Sequence, residues 1–116
     1  MRLITIIINK APYGTTTLGE GLRAAIALAG MDIRTKIILT DDAVYAALRQ
    51  QDPSAIKAAP LHEALANAKE FGAETYVHIE SMEQRGIGIE EIVDIQSVDT
   101  AGLARMVEQA EATLTF

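Results

Sequence analysis

The run Leu3-Ile4-Thr5-Ile6-Ile7-Ile8 constrains this chain more than any other stretch. It is β-branched at every position after the first, and polar and apolar residues do not alternate along it. A strand of that kind has no solvent face, so it suits a sheet covered on both sides. The rest of the chain supplies the covering helices and further strands. A helix is expected to begin near Thr16 or Thr17, with a Thr hydroxyl as cap and Glu20 completing a capping box. Leu22, Ala25, Ile26 and Ala29 recur there at helical spacing, and Gly30 is the expected stop.

Ile33 to Leu39 reads as a second strand. Thr40-Asp41-Asp42 then opens a helix with Val44, Tyr45 and Leu48 on one face. A polar linker with two prolines, Gln51 to Pro60, leads to a helix over Leu61–Phe71 that Gly72 ends. Glu74 to Ile79 is the third strand, and Glu83 to Ile92 is short and irregular. Val93 to Val98 is the fourth strand. Asp99 or Thr100 caps a last helix to about Ala110, and Thr113 to Phe116 is a short closing strand. This alternation predicts an α/β fold whose sheet is parallel or mostly parallel, with helices on both faces. At 116 residues, with no internal repeat or boundary, a single domain over 1–116 is expected.

Composition narrows the function classes. A formal charge of −6 without any Lys/Arg cluster argues against a nucleic-acid partner. No apolar stretch approaches the length of a transmembrane helix, and the N-terminal run is too short, and lacks a small-residue cleavage site, to read as a signal segment. The chain contains no cysteine, which removes disulfides and thiolate metal sites and fits a cytoplasmic setting.

In open α/β sheets ligands bind beyond the carboxyl ends of the strands. The candidates are therefore the residues after each strand. The loop Ala11-Pro12-Tyr13-Gly14-Thr15-Thr16-Thr17 joins a strand to a helix N-terminus. Its N–H groups and hydroxyls suit an anion, a phosphate or an FMN-type ligand, or simply make a tight turn with capping threonines. No GxGxxG or P-loop pattern is present, and no bound cofactor is expected.

Asp41 and Asp42 form either a carboxylate pair or a helix cap with a favourable dipole. Adjacent residues point in different directions, which favours the cap. His78, at the end of a buried strand, is the candidate acid or base, with Glu80, Ser81, Glu83 and Arg85 close behind it; the alternative is a histidine that is only hydrogen-bonded. Arg85 binds an anion or pairs with Glu80 or Glu83. His62, the only other histidine, lies on a helix, and the spacing fits no zinc motif, so no metal is expected.

Three segments resemble the DsrE/DsrF-like family. They are the opening strand with Ala11-Pro12-Tyr13-Gly14-Thr15, then Asp42-Ala43-Val44, then Val77-His78-Ile79-Glu80-Ser81-Met82-Glu83-Gln84-Arg85-Gly86-Ile87. The closing Leu114-Thr115-Phe116 is similar to that family's final strand. The resemblance implies a three-layer α/β/α sandwich on a mostly parallel five-stranded sheet, a variant of the flavodoxin-like arrangement. It also implies a homo-oligomer (trimer or hexamer), or a hetero-oligomer with paralogous DsrE-like subunits. Catalytic members of the family accept a persulfide sulfur on a cysteine in the third segment, where this chain has His78. An imidazole cannot carry a persulfide. The resemblance therefore points to a non-catalytic subunit of the DsrF/TusC type, linked to intracellular sulfur transfer or oxidation. The ligand-binding candidates are Pro12, Tyr13, Gly14, Thr15, Asp42, His78, Ser81 and Arg85. Two other readings stand beside it: a small-ligand or nucleotide-binding protein using residues 11–17, and an enzyme using His78 as acid or base.

Overall fold

The computed structural model describes residues 2–12, 16–49 and 61–116, with the backbone alone at 61–63. Tyr13, Gly14, Thr15 and the linker expected at Gln51–Pro60 lie outside the described residues. Five strands form one sheet: β1 (Leu3–Ile8), β2 (Arg34–Leu39), β3 (Glu74–His78), β4 (Gln96–Val98) and β5 (Ala112–Thr115). Their order is β4-β3-β2-β1-β5, and all four ladders are parallel. Helices α1 (Thr17–Gly30), α2 (Leu61–Glu70), α3 (Ile79–Gln84) and α4 (Thr100–Gln109) make the connections, with a 3-10 segment at Asp41–Ala47 and a 3-10 turn at Ile89–Glu91.

The strand order dictates the layers. From β1 to β4 the chain steps across the sheet in one direction, and right-handed crossovers keep α1, α2 and α3 on one face. From β4 it returns past β3, β2 and β1 to reach β5, so the same handedness places α4 on the other face. Side-chain parity agrees. Ile4, Ile6 and Ile8 of β1, Ile37 and Leu39 of β2 and Val77 of β3 pack with Leu18, Leu22 and Ala25 of α1, Leu65 and Ala68 of α2 and Met82 of α3. Ile38, Tyr76 and Val98 face the other way, against Leu103 and Met106 of α4. The run that opens the chain is thus buried on both faces, as its composition requires: Thr5, on the α4 side, is as inaccessible as Ile6.

Two glycines allow close approach. A Cβ at Gly21 of α1 would lie 2.8 Å from Ile8 Cδ1, and one at Gly102 of α4 would lie 2.6 Å from Val98 Cγ2. Each helix is pressed against its strand at that point.

Several local expectations change. Thr16 occupies the N-cap position of α1 but makes no capping bond; its hydroxyl donates instead to Glu20 Oε1 at 3.2 Å. The segment after β2 is 3-10, not α-helical. Val44 is buried and Tyr45 exposed, so the two do not share a face. The fourth strand is shorter than Val93–Val98. Residues 91–93 spend their backbone groups on 47–49 instead, with Arg49 N donating to Glu91 O (2.9 Å) and Val93 N to Ala47 O (2.8 Å). The third strand ends at His78, and Ile79 already belongs to α3. That helix closes where Ile87 N donates to Met82 O at 3.0 Å, across Gly86 in the left-handed region (φ +68°). No helix among the described residues is long and apolar enough to cross a membrane.

Candidate functional site

The chain leaves β3 and β4, which are adjacent, toward opposite faces: β3 runs into α3 on one side and β4 into α4 on the other. Where neighbouring strands send their connections apart, a crevice opens beyond their carboxyl ends. His78 sits at that point, as the last residue of β3 and the N-cap position of α3.

The histidine ring bridges the two walls. Nδ1 is 2.7 Å from Ser81 Oγ on α3, and Nε2 is 2.9 Å from Thr100 Oγ1, the first residue of α4. Ser81 is buried, and its Oγ also accepts the backbone N–H of Asp41 at 2.9 Å. Asp41 has a left-handed backbone (φ +50°), which Asp tolerates better than most residues. The Ser81 bond fixes that turn against α3.

Glu80, on α3, reaches across to the other wall. Its Oε2 accepts Thr100 N–H at 3.0 Å, and its Oε1 lies 3.4 Å from His78 Nε2. That second distance is too long for a hydrogen bond, and Oε1 is shielded from solvent although the side chain as a whole is well exposed. The Thr100 N–H holds the Glu80 carboxyl below the usual carboxylate range; partial desolvation opposes it, and the Thr100 hydroxyl adds to it. The carboxylate also meets the positive end of the α4 dipole. Asp99 caps α4 independently, its Oδ1 accepting Gly102 N–H at 2.7 Å.

Arg85 closes the site below Ser81. Its guanidinium reaches Asp42 Oδ1 at 3.0 and 3.1 Å and donates to Ser81 O at 3.1 Å. It pairs with Asp42, not with Glu80 or Glu83 as the spacing suggested, because residues two and five positions away do not face Arg85, whereas Asp42 on the neighbouring 3-10 segment does. Asp41 and Asp42 diverge as expected. The Asp41 carboxylate turns toward the Thr40 hydroxyl (3.4 Å) and Asp42 toward Arg85.

Of the candidate ligand-binding residues, the fold therefore gathers Asp42, His78, Ser81 and Arg85. Pro12 is buried after β1, with β2 between its strand and β3; Tyr13, Gly14 and Thr15 lie outside the described residues. Thr100 was missed as a site residue. The signal was available: Thr100 lies two residues past the end of β4, where ligands bind in open α/β sheets.

Ser81, His78 and Glu80 follow the order of a serine-hydrolase relay. The hydroxyl is not offered as a nucleophile, however, because Ser81 is only 3% exposed and its oxygen already takes the Asp41 N–H. Among the described residues no group of His, Asp and Glu has the arrangement to hold a metal ion.

The model of the DsrE/DsrF-like family matches residues 2–116. An uncharacterized protein of Methanocaldococcus jannaschii is 32% identical over 114 residues, covering 97% of each chain. The intracellular sulfur oxidation protein DsrF of Allochromatium vinosum is 26% identical over 126 residues, covering 93% of this chain and 91% of its own. The crystal structure of the ychN protein from E. coli superposes over 100% of both chains with a TM-score of 0.88 at 29% identity. With residues 2–116 matched by that family's model, the chain belongs to the DsrE/DsrF-like family.

Proposed function

We propose that this chain is a non-catalytic DsrE/DsrF-like domain, acting inside the cell as a subunit of a homo-oligomer or beside paralogous subunits, in the transfer or oxidation of sulfur. The sulfur role is carried over from its similarity to the DsrF protein. The observation that carries the non-catalytic part is the state of His78. The sequence has no cysteine, and the imidazole at the switch-point crevice has both nitrogens engaged within the chain, one on α3 and one on α4. A persulfide needs a thiolate. His78 instead ties the two walls together, which suits a subunit that lines or closes a pocket for a thiol carried by a partner.

Native mass spectrometry of protein captured from its own lysate tests this. A trimer or hexamer, alone or with a cysteine-bearing paralogue, is the expected result. A monomer at micromolar concentration without a paralogue removes the subunit reading.

A further inference from the structure

We infer that His78 is locked as the tautomer with its proton on Nε2, and that Ser81 is the positioning residue that locks it. Two ends of the ring lead to the same assignment. At Nδ1, the partner is Ser81 Oγ at 2.7 Å, an ordinary length for a hydroxyl donor. That oxygen already accepts Asp41 N–H, so its own proton is free to donate. Were Nδ1 protonated, Ser81 would accept twice and its proton would need another acceptor; none is found within hydrogen-bond reach among the described residues, and the side chain is nearly sealed from water.

At Nε2 the argument is independent. Glu80 Oε1, an acceptor-only atom, faces it at 3.4 Å, and Thr100 Oγ1 lies at 2.9 Å. A lone pair on Nε2 would oppose the carboxylate, whereas an N–H complements it and donates to Thr100, whose hydroxyl then serves Glu80. The donors run one way: Asp41 N–H to Ser81, Ser81 to His78, His78 to Thr100, Thr100 to Glu80.

The lone pair of the neutral ring is thus buried against Ser81, and the ring N–H is engaged by Thr100. His78 in this state cannot remove a proton from a group entering between α3 and α4. The assignment does not depend on oligomeric state, so it and the subunit reading can fail separately.

The test is nitrogen-15 NMR of the imidazole at alkaline pH, where histidine rings are neutral. In the native chain Nε2 is expected to carry the proton, with Nδ1 unprotonated. The finding of the proton on Nδ1 overturns the assignment. In Ser81→Ala the Nδ1 resonance is expected to move as its hydrogen bond is lost, while Glu80→Gln leaves Nδ1 in place; an unmoved Nδ1 in Ser81→Ala overturns the role of Ser81.

Discussion

The two faces of the sheet are built unequally. The face under α1, α2 and α3 carries the main core, drawn from three strands, three helices and the 3-10 segment. The face under α4 carries a much smaller cluster centred on Ile38, Tyr76 and Val98, and it includes a nearly buried Lys36 whose ammonium sits 5.9 Å over the Tyr76 ring. The crevice at His78 lies between them, with α3 as one wall and α4 as the other. One wall therefore belongs to the thick core. The other is held by a small apolar contact, one close glycine, one cap and the His78–Glu80–Thr100 network. The difference teaches that the stability of this fold and the geometry of its candidate site rest largely on different residues.

Neighbouring residues of β2 give the sharpest test. Ile37 and Ile38 are both fully inaccessible but point to opposite faces. Either change to Ala is expected to cost about 2–5 kcal/mol, with Ile37→Ala the larger because it opens the main core. Denaturant midpoints measure this, and an equal or greater loss for Ile38→Ala would break the comparison.

Next in size is Gly102→Ala. Its Cβ would meet Val98 at 2.6 Å, so overpacking of roughly 1–3 kcal/mol is expected. Hydrogen exchange should speed up in α4 while the protection of α1 changes little. Uniform loss across both helices would show that the faces are not separable.

Asp99→Ala removes the α4 cap bond to Gly102 and is expected to cost about 0.5–2 kcal/mol, again read as faster exchange confined to the first turn of α4.

The smallest effect concerns Glu80. Its pKa is lowered in the fold, so the carboxylate contributes stability above the ordinary carboxylate range, and that contribution disappears as pH falls through the lowered value. Native chain and Glu80→Gln should differ slightly at neutral pH and converge in acid. A gap that widens on acidification contradicts the assigned sign.

The sequence carried the fold class through β1, whose unbroken β-branched run has no solvent face to offer, together with the alternation of strands and helices that follows it. It carried the order of elements through the Gly and Asp punctuation around α2 and α4. It was less informative where backbone groups had a choice of partner. Val93 looks like the start of a strand, yet its N–H goes to Ala47; Ile79 looks like the end of a strand, yet its neighbours Glu80, Met82 and Gln84 favour a helix.

The candidate site divides in the same way. Asp42, His78, Ser81 and Arg85 could be selected because each follows a strand end or lies on the turn after it. That Arg85 pairs with Asp42, that Thr100 meets the ring and that Glu80 seats on the α4 N-terminus could not be read from spacing, because those contacts join segments 20 to 43 residues apart.

By itself the sequence determined that the chain is an α/β fold, that its first strand is central in the core and that it has no thiol for persulfide chemistry, because hydrophobic pattern and residue identity are local properties. Only the tertiary structure decided that His78 is a fully engaged bridge. The long return from β4 to β5 puts α4 on the opposite face, and that crossover brings Thr100 to the far side of the ring, where Glu80 of α3 meets it.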